Sequence, residues 1–292
     1  MPLGTFLTYL RTEKRYSVHT LRSYETDLTQ FVSYCLEFMS EFTPGKVDHR
    51  IIRNWIIELS ESGISSKSTN RKLTSLRTYY KYLLRQGLVQ QNPMDKISGP
   101  KFRKKLPSFL DEASMINLLD NVDFGSGYEA VRDKTIIELL YSAGLRRAEL
   151  IHLKYLDYNK ANSTIKVLGK RNKERIIPLN KKMILTFDLY IKERNKHFGS
   201  GEFMFLTSKG KKLYPELVYR VVRRWLSSVS TLEKKSPHVL RHTFATHMLN
   251  NGADLNAIKE LLGHANLSAT QIYTHNSFEK LRSIYKQAHP RA

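Results

Sequence analysis

From His238 the chain reads HVLRHTFATHML, and from Leu262 it reads LGHANLSATQIYTH. One short region therefore carries an arginine, several histidines and a tyrosine. On a helix His238 and Arg241 share a face, being three residues apart. His264 follows a Leu-Gly pair, and eight residues separate it from Tyr273. His238, His242 and His247 have a superficial look of metal ligands. No acidic residue lies between His238 and His242 as a helical zinc motif would need, and the positive Arg241 stands beside them, so no metal is expected here. No phosphate-cradling glycine loop with its lysine appears either, which argues against chemistry driven by ATP.

A phosphate fits these residues better. An arginine presents a planar fork of donors that matches two phosphate oxygens. Two such forks could hold one phosphodiester and neutralise its transition state without a metal ion. The second fork is found in LLYSAGLRRAELIHL, where Arg146 follows Gly144 at a helix junction. A tyrosine hydroxyl can act as nucleophile, helped by positive charge and a proton acceptor because its free pKa is about 10. The departing alkoxide needs an acid, and Lys170 lies in a flexible turn, GKRNKER, from which it could reach. Each residue also has an ordinary reading. Arg146 could simply pair with Glu149, His264 could cap a helix, Lys170 could be a solvated turn residue, and most of the 16 tyrosines must be core or surface.

The bulk properties agree with a polyanionic partner. The 292 residues suffice for two compact domains, and a hydrophobic content of 41% allows a sizeable core. Lys and Arg number 48 against 27 Asp and Glu, a net charge of +21. Residues 1–105 carry +9 and the remainder +12, so both parts are basic and nucleic acid is the leading partner. Cys35 is the only cysteine, which excludes an intrachain disulfide and suits a reducing compartment. The opening MPLGTFLTYLRTEKR does not read as a signal peptide, and no apolar run reaches the roughly 18 residues of a membrane span. A cytoplasmic protein without membrane contact is expected.

The first hundred residues read as helical. Ser17 is placed to cap a helix whose Leu21, Leu28, Phe31, Tyr34 and Cys35 recur at helical spacing. VDHRIIRNWIIELSESG predicts a second helix ending at Gly63, and SKSTNRKLTSLRTYYKYLLRQG a third ending at Gly87. In the third, Leu73, Leu76, Tyr80, Leu83 and Leu84 form an apolar stripe. Thr74, Arg77, Thr78, Lys81 and Arg85 form a polar and basic face, suited to a DNA backbone or simply to water. NPMDKISGPKFRKKLPSFL, with three prolines and a basic run, reads as an interdomain linker. The division expected is 1–98 for a helical domain, 99–107 for the basic linker and 108–292 for a mixed domain. In that second domain DEASMINLLD and RDKTIIELLYSAG predict helices, STIKVLG and ERIIPL a hairpin, and EFMFLT a further strand. From LYPELVYRVVRRWL onward the chain reads as helical. The last helix, SFEKLRSIYKQA, puts Phe278, Leu281, Ile284 and Tyr285 on one face. The fold class is mainly α with a small β-sheet.

GLRRAEL, GKRNKER, HVLRHTFATHML and LGHANLSATQIYTH, taken in order, resemble the tyrosine recombinase (phage integrase) family, and the helical region from Ser17 to Gly87 resembles that family's core-binding domain. Within the family the chain is most similar to the Xer recombinases, on the hairpin text GKRNKER followed by IIPL, the short length and the ending AHPRA. The resemblance implies a helical SAM-like core-binding domain and a mixed α/β catalytic domain forming a C-shaped clamp on duplex DNA. It implies that Tyr273 attacks the scissile phosphate and becomes linked to a DNA 3′ phosphate. Arg146 and Arg241 would hold the non-bridging oxygens, Lys170 would protonate the departing 5′ oxygen, His238 would act as acid and base at the tyrosine, and His264 would donate to the phosphate. Glu149 would position Arg146. Neither metal nor cofactor is implied, because the phosphotyrosine bond conserves the energy for resealing. Arg71, Arg77 and Lys81 are the candidates for DNA contact in the first domain. The last helix could pack on its own domain, but the resemblance implies docking on a neighbouring protomer in a cyclic homo- or hetero-tetramer on two DNA sites. A second Xer recombinase and a septal DNA translocase are the further partners implied, and the role implied is resolution of chromosome dimers at a terminus site. An integrase of a phage or conjugative element, and a DNA-binding protein without cleavage activity, are the competing readings.

Overall fold

The computed structural model describes residues 2–102, 108–169, 173–199, 201–263 and 275–291. The chain divides into two units, Met1–Lys105 and Leu106–Ala292.

The first unit is built from four helices: α1 (Pro2–Thr12), α2 (Val18–Leu36), α3 (His49–Glu61) and α4 (Ser66–Arg85). Their starts are written in side chains that accept otherwise unpaired backbone N–H groups: Ser17 for α2, Asp48 for α3 and Ser65 for α4. The stops fall where expected, with Gly63 and Gly87 both at positive φ. Phe6, Leu28, Phe31, Trp55, Leu76, Tyr79 and Tyr80 fill the core. One member of the expected stripe on α4 is displaced. Leu84 lies at the edge of the stripe beside Arg77 and stays exposed, while Tyr79 is buried in its place. After α4 the chain folds back along that helix. The Asn70 side-chain amide donates to the Pro100 carbonyl at 2.8 Å, and a Cβ on Gly99 would lie 1.9 Å from Asn70 Oδ1.

The second unit wraps helices around α6 (Tyr128–Ser142), which buries Ile136, Ile137, Leu139, Leu140 and Tyr141. Before it, α5 (Glu112–Ile116) runs into a single π-turn, Asn117–Asn121. After it come α7 (Arg147–His152), then β1 (Tyr158–Asn159), β2 (Thr164–Leu168) and β3 (Glu174–Pro178). The strands form an antiparallel sheet in the order β1-β2-β3, with Ile165 opposite Ile177 and Val167 opposite Arg175. The expected hairpin is therefore present, with a two-residue strand added at its edge. Among the described residues the unit continues with α8 (Lys181–Phe198), α9 (Pro215–Ser227), α10 (Pro237–Asn250), α11 (Leu255–Leu262) and α12 (His275–Ala288). The fold is thus mainly helical with one small sheet.

One expectation is corrected. EFMFLT is not a strand: its neighbourhood holds only two isolated bridges, Lys154 with Phe203 and Leu206 with Lys212. Met204, Phe205 and Leu206 are buried in succession rather than alternately, so the segment crosses the core instead of lying on a half-exposed sheet. The last helix packs on its own unit. Leu281, Tyr285 and Ala288 belong to that unit's core, Asn251 donates to the Ala288 carbonyl at 3.0 Å, and Arg291 bonds Asp120 and Glu138. Of the apolar face, Leu281 and Tyr285 are covered within the chain, and Phe278 and Ile284 are partly exposed.

Candidate active site

The site is assembled where α6 ends, α7 begins and α11 stops. Gly144 follows α6 at φ 56°, a backbone conformation that glycine adopts without strain. A Cβ there would lie 2.6 Å from Phe244 and 2.8 Å from Leu262, so the turn also needs the missing side chain. This turn delivers Arg146 to the position just ahead of α7. Glu149, in the first turn of α7, accepts the Arg146 backbone N–H at 2.8 Å on Oε2 and the Arg146 guanidinium at 2.6 Å on Oε1. The pairing that was the ordinary reading of Arg146 is therefore real. It also aims the guanidinium, whose Nη2 donates to the Gly263 carbonyl at 2.9 Å.

Arg241 arrives from α10, in the second unit's interior. Its Nη1 donates to the Gly144 carbonyl and its Nη2 to the Leu262 carbonyl, each at 2.6 Å. Glu149 stands 3.9 Å away. Arg175 comes from the inward phase of β3, where Glu174 and Ile176 face out and Arg175 and Ile177 face in. Its Nη1 and Nη2 grip both Glu149 oxygens at 2.8 and 2.9 Å, and its Nε donates to the Leu261 carbonyl at 2.8 Å. Three arginines thus serve three consecutive carbonyls, Leu261, Leu262 and Gly263, at the C-terminal end of α11. A helix leaves carbonyls unpaired there and carries partial negative charge. Gly263 itself closes the helix in the left-handed conformation.

Among the described residues, three guanidinium groups surround one carboxylate, so the cluster carries surplus positive charge. Arg241 registers this: burial, then repulsion from Arg146, push its pKa down to about 10, only partly opposed by Glu149. Burial alone would raise the Glu149 carboxyl, but the hydrogen bonds and charge of Arg175, with help from Arg146, outweigh it and hold the pKa below the ordinary value. Such a cluster is suited to an oxyanion.

His238 lies on the first turn of α10, exposed, one turn before Arg241. The other two histidines of the opening stretch have packing roles. His247 is buried, with Nε2 donating to the Leu110 carbonyl at 2.7 Å and Nδ1 receiving the Tyr141 hydroxyl at 2.9 Å. His242 meets the edge of the Phe109 ring. Among the described residues no group of three or more metal-ligating side chains converges. Lys170, His264 and Tyr273 lie outside the described residues. In the first unit, Arg71 is half exposed and donates to Ser23 at 2.8 Å and to the buried Asp27. Arg77 donates to the Ile97 carbonyl at 3.3 Å, and Lys81 is exposed. Sequence reasoning gave no role to Arg175, although its inward phase on the strand was legible. An arginine two residues before a core isoleucine on a strand must point inward and find a carboxylate.

Comparison with known proteins accords with this arrangement. Residues 108–280 match the phage integrase family and residues 3–87 the phage integrase N-terminal SAM-like domain. The chain belongs to the phage integrase family, the tyrosine recombinases. It is 40% identical to the tyrosine recombinase XerC of Pelobacter propionicus, over 99% of this chain and 95% of that protein. It is 37% identical to the XerC of Chlorobaculum tepidum, over 99% of this chain and 94% of that one. Among solved structures it resembles the XerA recombinase, at 26% identity and a TM-score of 0.50, covering 100% of this chain and 99% of that one. It also has the fold of the XerH site-specific recombinase bound to a palindromic difH substrate, at 24% identity and a TM-score of 0.74, covering 97% and 84%. Its activity is therefore site-specific DNA recombination of the Xer type. Among the described residues, no helix is long and apolar enough to cross a membrane.

Proposed function

We propose that this recombinase cuts and rejoins duplex DNA through a 3′-phosphotyrosine on Tyr273, with Arg146 and Arg241 holding the scissile phosphate. The observation that carries the reading is the convergence of these two guanidinium groups on neighbouring carbonyls at the end of α11, in a cluster with surplus positive charge. An incoming phosphate would relieve the repulsion that burial and proximity impose on Arg241. The charge that develops on the phosphorane would relieve it further, which is transition-state stabilisation by preorganised donors. Tyr273 supplies the nucleophile, Lys170 protonates the leaving 5′ oxygen, His238 moves the tyrosine proton and His264 donates to the phosphate. The chain segment that holds His264 and Tyr273 starts directly after Gly263, where Arg146 is anchored. Glu149 acts through Arg146. With the charge handled by arginines and the nucleophile by tyrosine, no metal ion or nucleotide is required.

The remaining assignments follow from this reading. Residues 1–98 form the core-binding domain, 99–107 a basic linker and 108–292 the catalytic domain. Arg71, Arg77 and Lys81 contact DNA from α4. The working assembly is a tetramer on two DNA sites, formed with a second Xer recombinase and stimulated by a septal translocase. Its task is resolution of chromosome dimers at a terminus site in the cytoplasm. Relatives named for the Xer role and aligned over nearly the whole chain favour it over a mobile-element integrase.

The test is covalent trapping on a nicked duplex spanning the host's terminus recombination site, with and without the second host recombinase. Wild type is expected to give a protein–DNA adduct that resists denaturation, and Tyr273→Phe none. An adduct that persists in Tyr273→Phe would overturn the assignment of the nucleophile. The yield is expected to be unchanged by a chelator, and its loss on removing divalent ions would count against the metal-free chemistry.

A further inference from the structure

We infer that Arg175 is a positioning residue for strand cleavage, the piece that locks the phosphate-binding arginines to the end of α11. The inference rests on the reading that Arg146 and Arg241 hold the scissile phosphate. Arg175 controls what both guanidinium groups depend on. Its fork takes both oxygens of Glu149, the carboxylate that also binds Arg146 through the backbone N–H and the guanidinium. Its Nε holds the Leu261 carbonyl, one residue before the carbonyl that Arg241 uses and two before the one that Arg146 uses. The side chain is buried, and it is fitted closely. A Cβ on Gly263 would come within 3.1 Å of its Nη1, and one on Gly169, at the mouth of the hairpin carrying Lys170, would come within 3.5 Å of it. Arg175 therefore links three pieces of chain, the α7 start, the α11 end and the hairpin, whose relative placement sets the phosphate pocket. A lysine could keep the charge but not the three simultaneous bonds.

The experiment measures single-turnover cleavage of the nicked duplex at saturating DNA by full-length wild type, Arg175→Lys and Arg175→Gln. DNA affinity, thermal melting and a pH profile of cleavage are recorded alongside. Arg175→Lys is expected to melt near wild type and bind DNA as tightly, but to cleave about 10- to 100-fold more slowly, the cost of a small misplacement of reacting groups. The pH profile carries a second readout. Glu149 faces Arg146, Arg175 and, more distantly, Arg241. Without the Arg175 fork, burial is opposed chiefly by Arg146 and the Glu149 carboxyl rises, so cleavage by Arg175→Gln should begin to fall at a higher pH than cleavage by wild type. Cleavage by Arg175→Lys at the wild-type rate, or unfolding of both variants, would overturn the inference and leave Arg175 a structural residue. Tyr273→Phe and Arg146→Ala run in parallel. If these two still form adduct, the functional reading itself fails. If they do not and Arg175→Lys cleaves normally, only the role of Arg175 is lost.

Discussion

At the residue scale Glu149 is the hinge of the site. It is a nearly buried carboxylate with a cation on each side, and its ion pairs with Arg146 and Arg175 are short. Removing one partner of a buried pair leaves the other uncompensated, at a cost of about 3–5 kcal/mol. Glu149→Ala should therefore lower both the melting temperature, by on the order of 10 °C, and the rate of adduct formation, as read by calorimetry and trapping. The sign of the pH effect follows from the depressed carboxyl. The folded pKa lies below the unfolded value of 4.5, so the contribution of Glu149 to stability is present above pH 4.5. It is lost as pH falls through the folded value. Gly144 is a second sensitive residue. Gly144→Ala adds a side chain at positive φ against Phe244 and Leu262, and should destabilise by more than the ordinary glycine-to-alanine change and slow cleavage together. A variant that melts and cleaves like wild type would show that the turn can relax.

At the element scale α12 is the revealing case. Its apolar residues follow a helical stripe that the sequence shows plainly, but the stripe says only that the face will be covered, not by whom. The structure covers it in cis, with Leu281 and Tyr285 in the core and Arg291 clasped by Asp120 and Glu138. Deleting the chain after Tyr273 should therefore open the catalytic unit and lower its stability, in addition to any effect on assembly. A truncation with unchanged melting temperature would refute this packing. His289, just beyond α12, makes the anchor acid-sensitive. Burial, with Arg291 and His247 nearby, pushes its pKa down to about 3 from 6.5, against the Tyr141 carbonyl, which favours the protonated ring. The unfolded chain binds this proton below pH 6.5 and the folded one does not, so stability falls as pH drops from 6.5 towards 3. The loss by pH 5 is on the order of 2 kcal/mol. Urea midpoints at pH 7 and 5 test it, with His289→Gln expected to flatten the difference.

At the scale of the whole molecule the excess of +21 governs encounter with DNA. Binding should weaken by about 10³-fold or more between 50 and 200 mM salt, if six or more phosphates are neutralised. A shallow dependence in a filter-binding or fluorescence titration would show that most of the basic residues do not face DNA. Part of the charge is committed internally. Lys72, Arg175, Arg194 and Arg291 are buried, so the count of cations overstates those free to meet phosphate.

The sequence by itself determined the family, the helical character of both units, the hairpin and the order of the motif residues, because these depend on local spacing and on side-chain types with few chemical uses. The meeting of Arg146 and Glu149 was legible for that reason. Three things were decided only by the tertiary structure. EFMFLT is a buried crossing and not a strand, since an apolar run of that length has no period of its own. The end helix packs on its own unit, since an apolar face does not name its partner. Arg175 joins Glu149 and the end of α11, since a contact between residues 86 positions apart arises only when the chain closes on itself.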